Sequence, residues 1–127
     1  MKRIVLTTLM LFFSLLAEAE PVVRVSCPGQ GDIWLPKAKI DRVGALAGKG
    51  DFLPIIEHSD KIHAKQLYMI NGKPHGADYL AAVIWSASLS RLGVNCYTEV
   101  QIIYESYTGR KLVGYYVDAI KDGLNRH

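Results

Sequence analysis

The chain has 127 residues, 15 basic and 12 acidic side chains, a formal charge of +3 and an apolar half. That length predicts one domain. So mild a charge, with no basic patch interleaved with aromatics, excludes the electrostatic footprint of a nucleic-acid binder.

The first nineteen residues have the pattern of a secretory signal peptide. Lys2 and Arg3 form a positive head, Ile4 to Leu16 is an apolar run of 13 residues, and Ala17-Glu18-Ala19 reads as an A-x-A cleavage site. The run is too short to span a bilayer. Two segments follow: a leader over 1–19, cleaved after Ala19, and a domain over 20–127, secreted via the periplasm. Without the leader, 13 basic residues face 11 acidic ones, a net charge of +2. The only cysteines are Cys27 and Cys96. An even count in an oxidising compartment predicts one disulfide. It would close 69 residues and stabilise by roughly 4 kcal/mol in the chain-entropy model. A metal or nucleophile role for the pair lacks a CxxC spacing or a nearby histidine.

Val22 to Cys27 is β-rich, Pro28 to Gly31 breaks it, and Pro36 limits the apolar Ile33-Trp34-Leu35. Lys37 to Val43 alternates loosely, as a strand would, and the glycines at 44, 48 and 50 make Gly44–Asp51 a turn or a bulge. That glycine order is not a phosphate-binding fingerprint. Phe52 to Glu57 reads as an edge or bulged strand because of Pro54. Ile62 to Ile70 reads as another strand, and Asn71 to Gly76 as a loop.

The spacing predicts a helix over Asp78–Leu92. Leu80, Val83, Ile84 and Ala87 recur at i, i+3, i+4 and i+7, with Asp78 at its start and Gly93 at its stop. Ala81, Trp85, Leu89 and Leu92 make a second apolar stripe, and Ala82, Ser86 and Ser90 a small one. Such a helix needs cover on more than one side, from a partner or from its own sheet and a long loop. Beyond Gly93, Cys96 to Glu105 alternates, Ser106 to Arg110 is loop-like, and Leu112 to Ile120 reads as the return strand of a hairpin. The predicted class is α+β: a small Greek-key barrel of about five strands, OB-fold-like, with one helix before the last two.

Catalytic signals are thin. His58, Asp60 and His63 sit around a turn without the spacing of a zinc site. Ser86, Ser88 and Ser90 lack a nucleophile elbow. Glu99 and Glu105, on one strand face, would stand about 20 Å apart, too far for a glycosidase pair. We expect no enzyme, no metal and no cofactor. Trp34 and Trp85 read as core. Tyr104, Tyr107, Tyr115 and Tyr116 cluster near the last hairpin, where a flat apolar face with a polar tip suits a sugar ring or a protein surface; Tyr104 and Tyr116 are equally compatible with buried sheet positions.

Cys27 near the mature N-terminus, Leu46-Ala47-Gly48-Lys49, Phe52 to Ile56, Gln66 to Ile70, and a helix preceding Cys96 together resemble the pentameric B subunits of AB-type bacterial toxins, the cholera and heat-labile enterotoxin group, and more loosely the pertussis-like B subunits. The resemblance covers most of the mature chain. It implies an OB fold, a Cys27–Cys96 bridge, and a ring of five like or related B subunits with helices around a channel. Asp78, Ala82, Trp85, Ser86 and Ser90 would then be the oligomer or pore positions. It implies a secreted virulence factor that binds a host cell-surface glycan and carries a catalytic A subunit. The glycan candidates are Tyr104, Tyr107, Arg110, Lys111, Asn71, Lys73 and His75, with Arg110 or Lys111 available to an acidic sugar. Two departures stand out: the final hairpin is longer than in the enterotoxin subunits, and their sugar-stacking Trp has no Trp counterpart. The alternative is a periplasmic inhibitor or immunity protein against a cell-wall-degrading effector; a small exported hydrolase is the third reading.

Overall fold

A computed structural model describes residues 22–29 and 31–126, and the predicted leader lies outside them. β1 (Val22–Cys27) and β2 (Gly31–Pro36) pair antiparallel, Cys27 opposite Gly31. Pro36 ends the ladder, since it cannot donate, and turns the chain into α1 (Lys37–Gly44). A single 3-10 turn, Ala45–Ala47, extends α1. α2 (Leu53–Glu57) carries Pro54 in its first turn, where a missing N–H leaves no bond unmade. β3 (Tyr68–Ile70) and β4 (Lys73–His75) form a hairpin around Asn71-Gly72. Asn71 and Gly72 have φ of 53° and 79°, the left-handed pair that a two-residue hairpin turn requires. Three longer helices follow: α3 (Ala77–Arg91), α4 (Tyr97–Thr108) and α5 (Gly114–Leu124).

The barrel expectation is therefore overturned. The described chain has five helices, two small two-stranded sheets and no closed barrel, and about 53% of it is helical. Segments read as strands coil because their buried residues obey the helical period. In α1 and its extension these are Ile40, Val43, Gly44 and Ala47; in α4 they are Glu99, Val100, Ile103 and Tyr104. In α5 they are Ala119, Ile120, Gly123 and Leu124. Of Ile62 to Ile70, only the last three residues pair as a strand.

α3 is the middle of the molecule and is apolar almost all round. α5 lies along one side of it, and α2 and the 3-10 turn touch another, while α4 packs on α1 and β1. The α3–α5 approach is close enough that a Cβ on Gly123 would lie 1.8 Å from Ser86 Oγ and 2.4 Å from the Val83 carbonyl oxygen. The stripe Ala82–Ser86–Ser90 is thus buried inside one chain. The Ser86 hydroxyl, fully buried, donates back to the Ala82 carbonyl at 2.9 Å, so it meets α5 without an unpaired polar atom. About 100° around the helix from Ser86, Trp85 is fully buried and its indole N–H donates to the Val43 carbonyl at 3.1 Å. Trp34, expected in the core, is instead 60% exposed on β2. The Cys27–Cys96 disulfide joins the end of β1 to the start of α4, with Cα atoms 5.9 Å apart.

Candidate functional site

The loop between the 3-10 turn and α2 is held in an uncommon conformation. Gly48 and Gly50 have φ of 61° and 105°, and Phe52, a bulky residue, has φ 59°. Left-handed phenylalanine is strained and persists only where packing over-determines it. Here the ring is fully buried, 5.4 Å from Trp85, 5.8 Å from Tyr104 and 5.1 Å from Tyr116. The backbone folds over itself through Gly50 and Phe52, whose N–H groups both donate to the Ala47 carbonyl. A second anchor comes from α4: the Tyr104 hydroxyl donates to the Gly50 carbonyl at 2.9 Å. Burial pushes the Tyr104 phenol above its ordinary value, and the nearby Arg110 charge partly opposes the rise.

Beside this loop is a cleft of about 550 Å³ lined by Gly48, Lys49, Tyr107, Thr108 and Arg110. α4 supplies its far wall. Tyr107 is one helical turn past Tyr104 and is 39% exposed. It is backed by α1, where a Cβ on Gly44 would fall 2.4 Å from the Tyr107 Cβ, so only glycine lets α1 seat against that side chain. The end of α4 is shaped by Thr108, which donates to the Tyr104 carbonyl at 2.8 Å and accepts from the Arg110 N–H at 3.2 Å. The Asp51 carboxylate accepts from the Leu53 N–H at 3.2 Å and starts α2. The result is one aromatic face, one hydroxyl and two cations around a concave surface fixed from three elements.

The predicted glycan residues separate. Tyr107 and Arg110 line the cleft. Tyr104 is buried beneath it, its hydroxyl committed to Gly50. Lys111 is exposed next to Arg110 but is not among the lining residues. Asn71, Lys73 and His75 belong to the β3–β4 hairpin instead. Asn71 donates to Asp122 at 3.2 Å and accepts from Arg126 at 3.1 Å, which ties the hairpin turn to the end of α5. His75 stacks on Tyr79 with centroids 3.7 Å apart. Lys73 is exposed. Asp78 accepts from the hydroxyls of Tyr115 and Tyr116 at 3.1 and 3.0 Å, linking α3 to α5.

Lys49 and Gly48 were missed as site residues, although the glycines either side of Lys49 mark a loop whose backbone other residues avoid. The two glutamates also stand differently from the strand expectation. Six residues apart on a helix puts Glu99 and Glu105 roughly 120° apart around α4. Glu99 is buried with Lys39 at 3.4 Å, and Glu105 accepts from the Leu112 N–H at 3.1 Å. His58, Asp60 and His63 are exposed around the segment after α2. Comparison with protein-family models, curated proteins and solved structures finds no match to this chain.

Proposed function

We propose that the chain is an exported, non-catalytic binding protein that recognises a glycan in the Tyr107 cleft. The observation that carries this reading is Tyr107 itself: a half-exposed ring on a rigid helix, facing a concave space with Thr108, Lys49 and Arg110 at its edge. A pyranose offers an apolar face for the ring and hydroxyls for the polar rim, the usual composition of a small-ligand site. The toxin-B-subunit form of this role drew on an OB barrel and on an unexplained second face of the central helix. The barrel is absent from the described chain and α5 covers that face, so we carry forward the binding role without the ring or the A subunit. A glycan array probed with the oxidised protein tests the proposal. Binding to a defined set of saccharides, lost in Tyr107→Ala with unchanged thermal unfolding, is expected. Retained binding in that variant would remove the cleft from the site.

One observation favours the inhibitor-type alternative. Leu67 and Met69 are 68% and 71% exposed, and Met69 lines a second hollow of about 320 Å³ with Ile70, Asn71, Leu80, Val83 and Arg126. An apolar surface with a polar rim suits a protein target. Assays of cell-wall hydrolases in the presence of the protein separate the readings. Stoichiometric inhibition lost in Met69→Asp supports the alternative, and the glycan reading predicts no inhibition.

A further inference from the structure

We propose that the cleft selects an anionic saccharide, with Lys49 and Arg110 clamping its carboxylate or sulfate from opposite walls; this rests on the glycan reading of the same cleft. Lys49 comes from the strained loop and Arg110 from just past the end of α4, and the two line one cleft because Tyr104 ties loop to helix, through its hydroxyl on the Gly50 carbonyl and its ring beside Phe52. Neither cation has an acidic partner within ion-pair distance among the described residues. The carboxylates on the same elements are engaged elsewhere. Asp51 accepts from the Leu53 N–H, and Glu105 accepts from the Leu112 N–H and, at 3.3 Å, from Gln101. A carboxylate bonded to a backbone N–H keeps its charge, but neither Asp51 nor Glu105 is among the lining residues, so the field nearest the cleft wall is that of Lys49 and Arg110. Concave walls focus such a field. An arginine fork also matches a planar carboxylate or a sulfate better than a hydroxyl.

The conformation of the loop also seats the Arg110 stem. Gly50 must adopt φ 105°, and a Cβ there would meet the Tyr104 hydroxyl at 2.7 Å and the Arg110 Cδ at 3.2 Å. The stem of Arg110 therefore lies against the Gly50 backbone, one residue from Lys49, and both side chains line the cleft. Lys111, one residue on, is outside the cleft and serves as an internal control.

Calorimetric titration of the oxidised protein with paired saccharides, methyl glucuronide against methyl glucoside and a sulfated disaccharide against its unsulfated form, tests the inference. Inorganic sulfate is titrated alongside. The acidic members are expected to bind about tenfold or more tightly than the neutral ones. Lys49→Gln and Arg110→Gln are each expected to lose most of that preference and to flatten its salt dependence, while Lys111→Gln keeps both. Thermal unfolding of the three variants checks that they fold alike. Equal binding of acidic and neutral sugars, or full preference in Lys49→Gln and Arg110→Gln, overturns the clamp and leaves the glycan reading standing. Binding of inorganic sulfate without any saccharide supports the clamp and overturns the glycan reading. Absence of binding by every probe overturns both.

Discussion

Asp78 shows how single residues hold the helices in register. Its carboxylate accepts from two phenols on α5 and from the Tyr79 N–H at 2.9 Å. Burial first, then the Asp78 charge, pushes the Tyr115 and Tyr116 phenols above the ordinary 10.0. The folded chain therefore keeps protons that the unfolded chain would release. Stability from these groups is complete below pH 10.0 and is lost as pH rises above it, where only the unfolded tyrosines ionise. The urea midpoint should hold through neutral pH and fall in the alkaline range, and Tyr116→Phe should make that fall shallower. An unaltered alkaline slope in the variant would assign the effect to other groups. Lys39 is the second case. It is the ion-pair partner of the buried Glu99, at 3.4 Å, and Lys39→Met would leave that carboxylate alone in the interior. A loss of roughly 3 kcal/mol in denaturant unfolding is expected; Lys37→Met, whose exposed pair with Asp41 is solvated, should cost about 0.5 kcal/mol or less.

Among the elements, the α3–α5 seam has the least room. Gly123→Ala would place a methyl group against Ser86 Oγ and against backbone at Val83. The side chain can turn away but the carbonyl cannot, so the helices must part. Overpacking of this kind costs about 1–3 kcal/mol, which should lower Tm by roughly 5–20 °C in a domain this size. A Tm unchanged in Gly123→Ala would mean the seam is looser than the structure has it. This seam also shows where sequence reading reaches and where it stops. The predicted helix over 78–92 appears as Ala77–Arg91, because two apolar stripes at helical spacing leave no other solution. The Val22–Cys27 strand and the disulfide were legible from β-branched residues and cysteine count. α4 and α5 were not. Thr98, Val100, Ile102 and Tyr104 alternate as a strand does, yet Val100, Ile103 and Tyr104 also stand at i, i+3 and i+4. In a run this rich in β-branched and aromatic residues the two periods compete, and tertiary burial decides. Once these segments were read as strands, a barrel and its resemblance to toxin subunits followed. Of the site, Tyr107 and Arg110 were legible as a polar aromatic cluster. Lys49 was not, because its loop meets α4 through long-range contacts, the Tyr104–Gly50 hydrogen bond and the Phe52–Tyr104 ring pair.

At the scale of the whole molecule, the disulfide and the central helix do complementary work. The bridge fastens a two-stranded hairpin, a unit barely stable by itself, to the helical body. Replacing Cys27 and Cys96 by serine should cost about 2–5 kcal/mol and release the β1–β2 hairpin first, seen as early amide exchange over Val22–Pro36. α3, covered on both faces by its own chain, lets the domain close around one core and present the Tyr107 cleft on a rigid support. The most direct test of that account is a nitrogen–proton correlation titration of the oxidised protein with the best-binding saccharide from the array. The account predicts that shifts concentrate at Gly48, Lys49, Gly50, Tyr107, Thr108 and Arg110, with the β3–β4 hairpin undisturbed. Shifts centred on Met69, Asn71 and Arg126 would contradict it and move the binding surface to the β3–β4 hairpin.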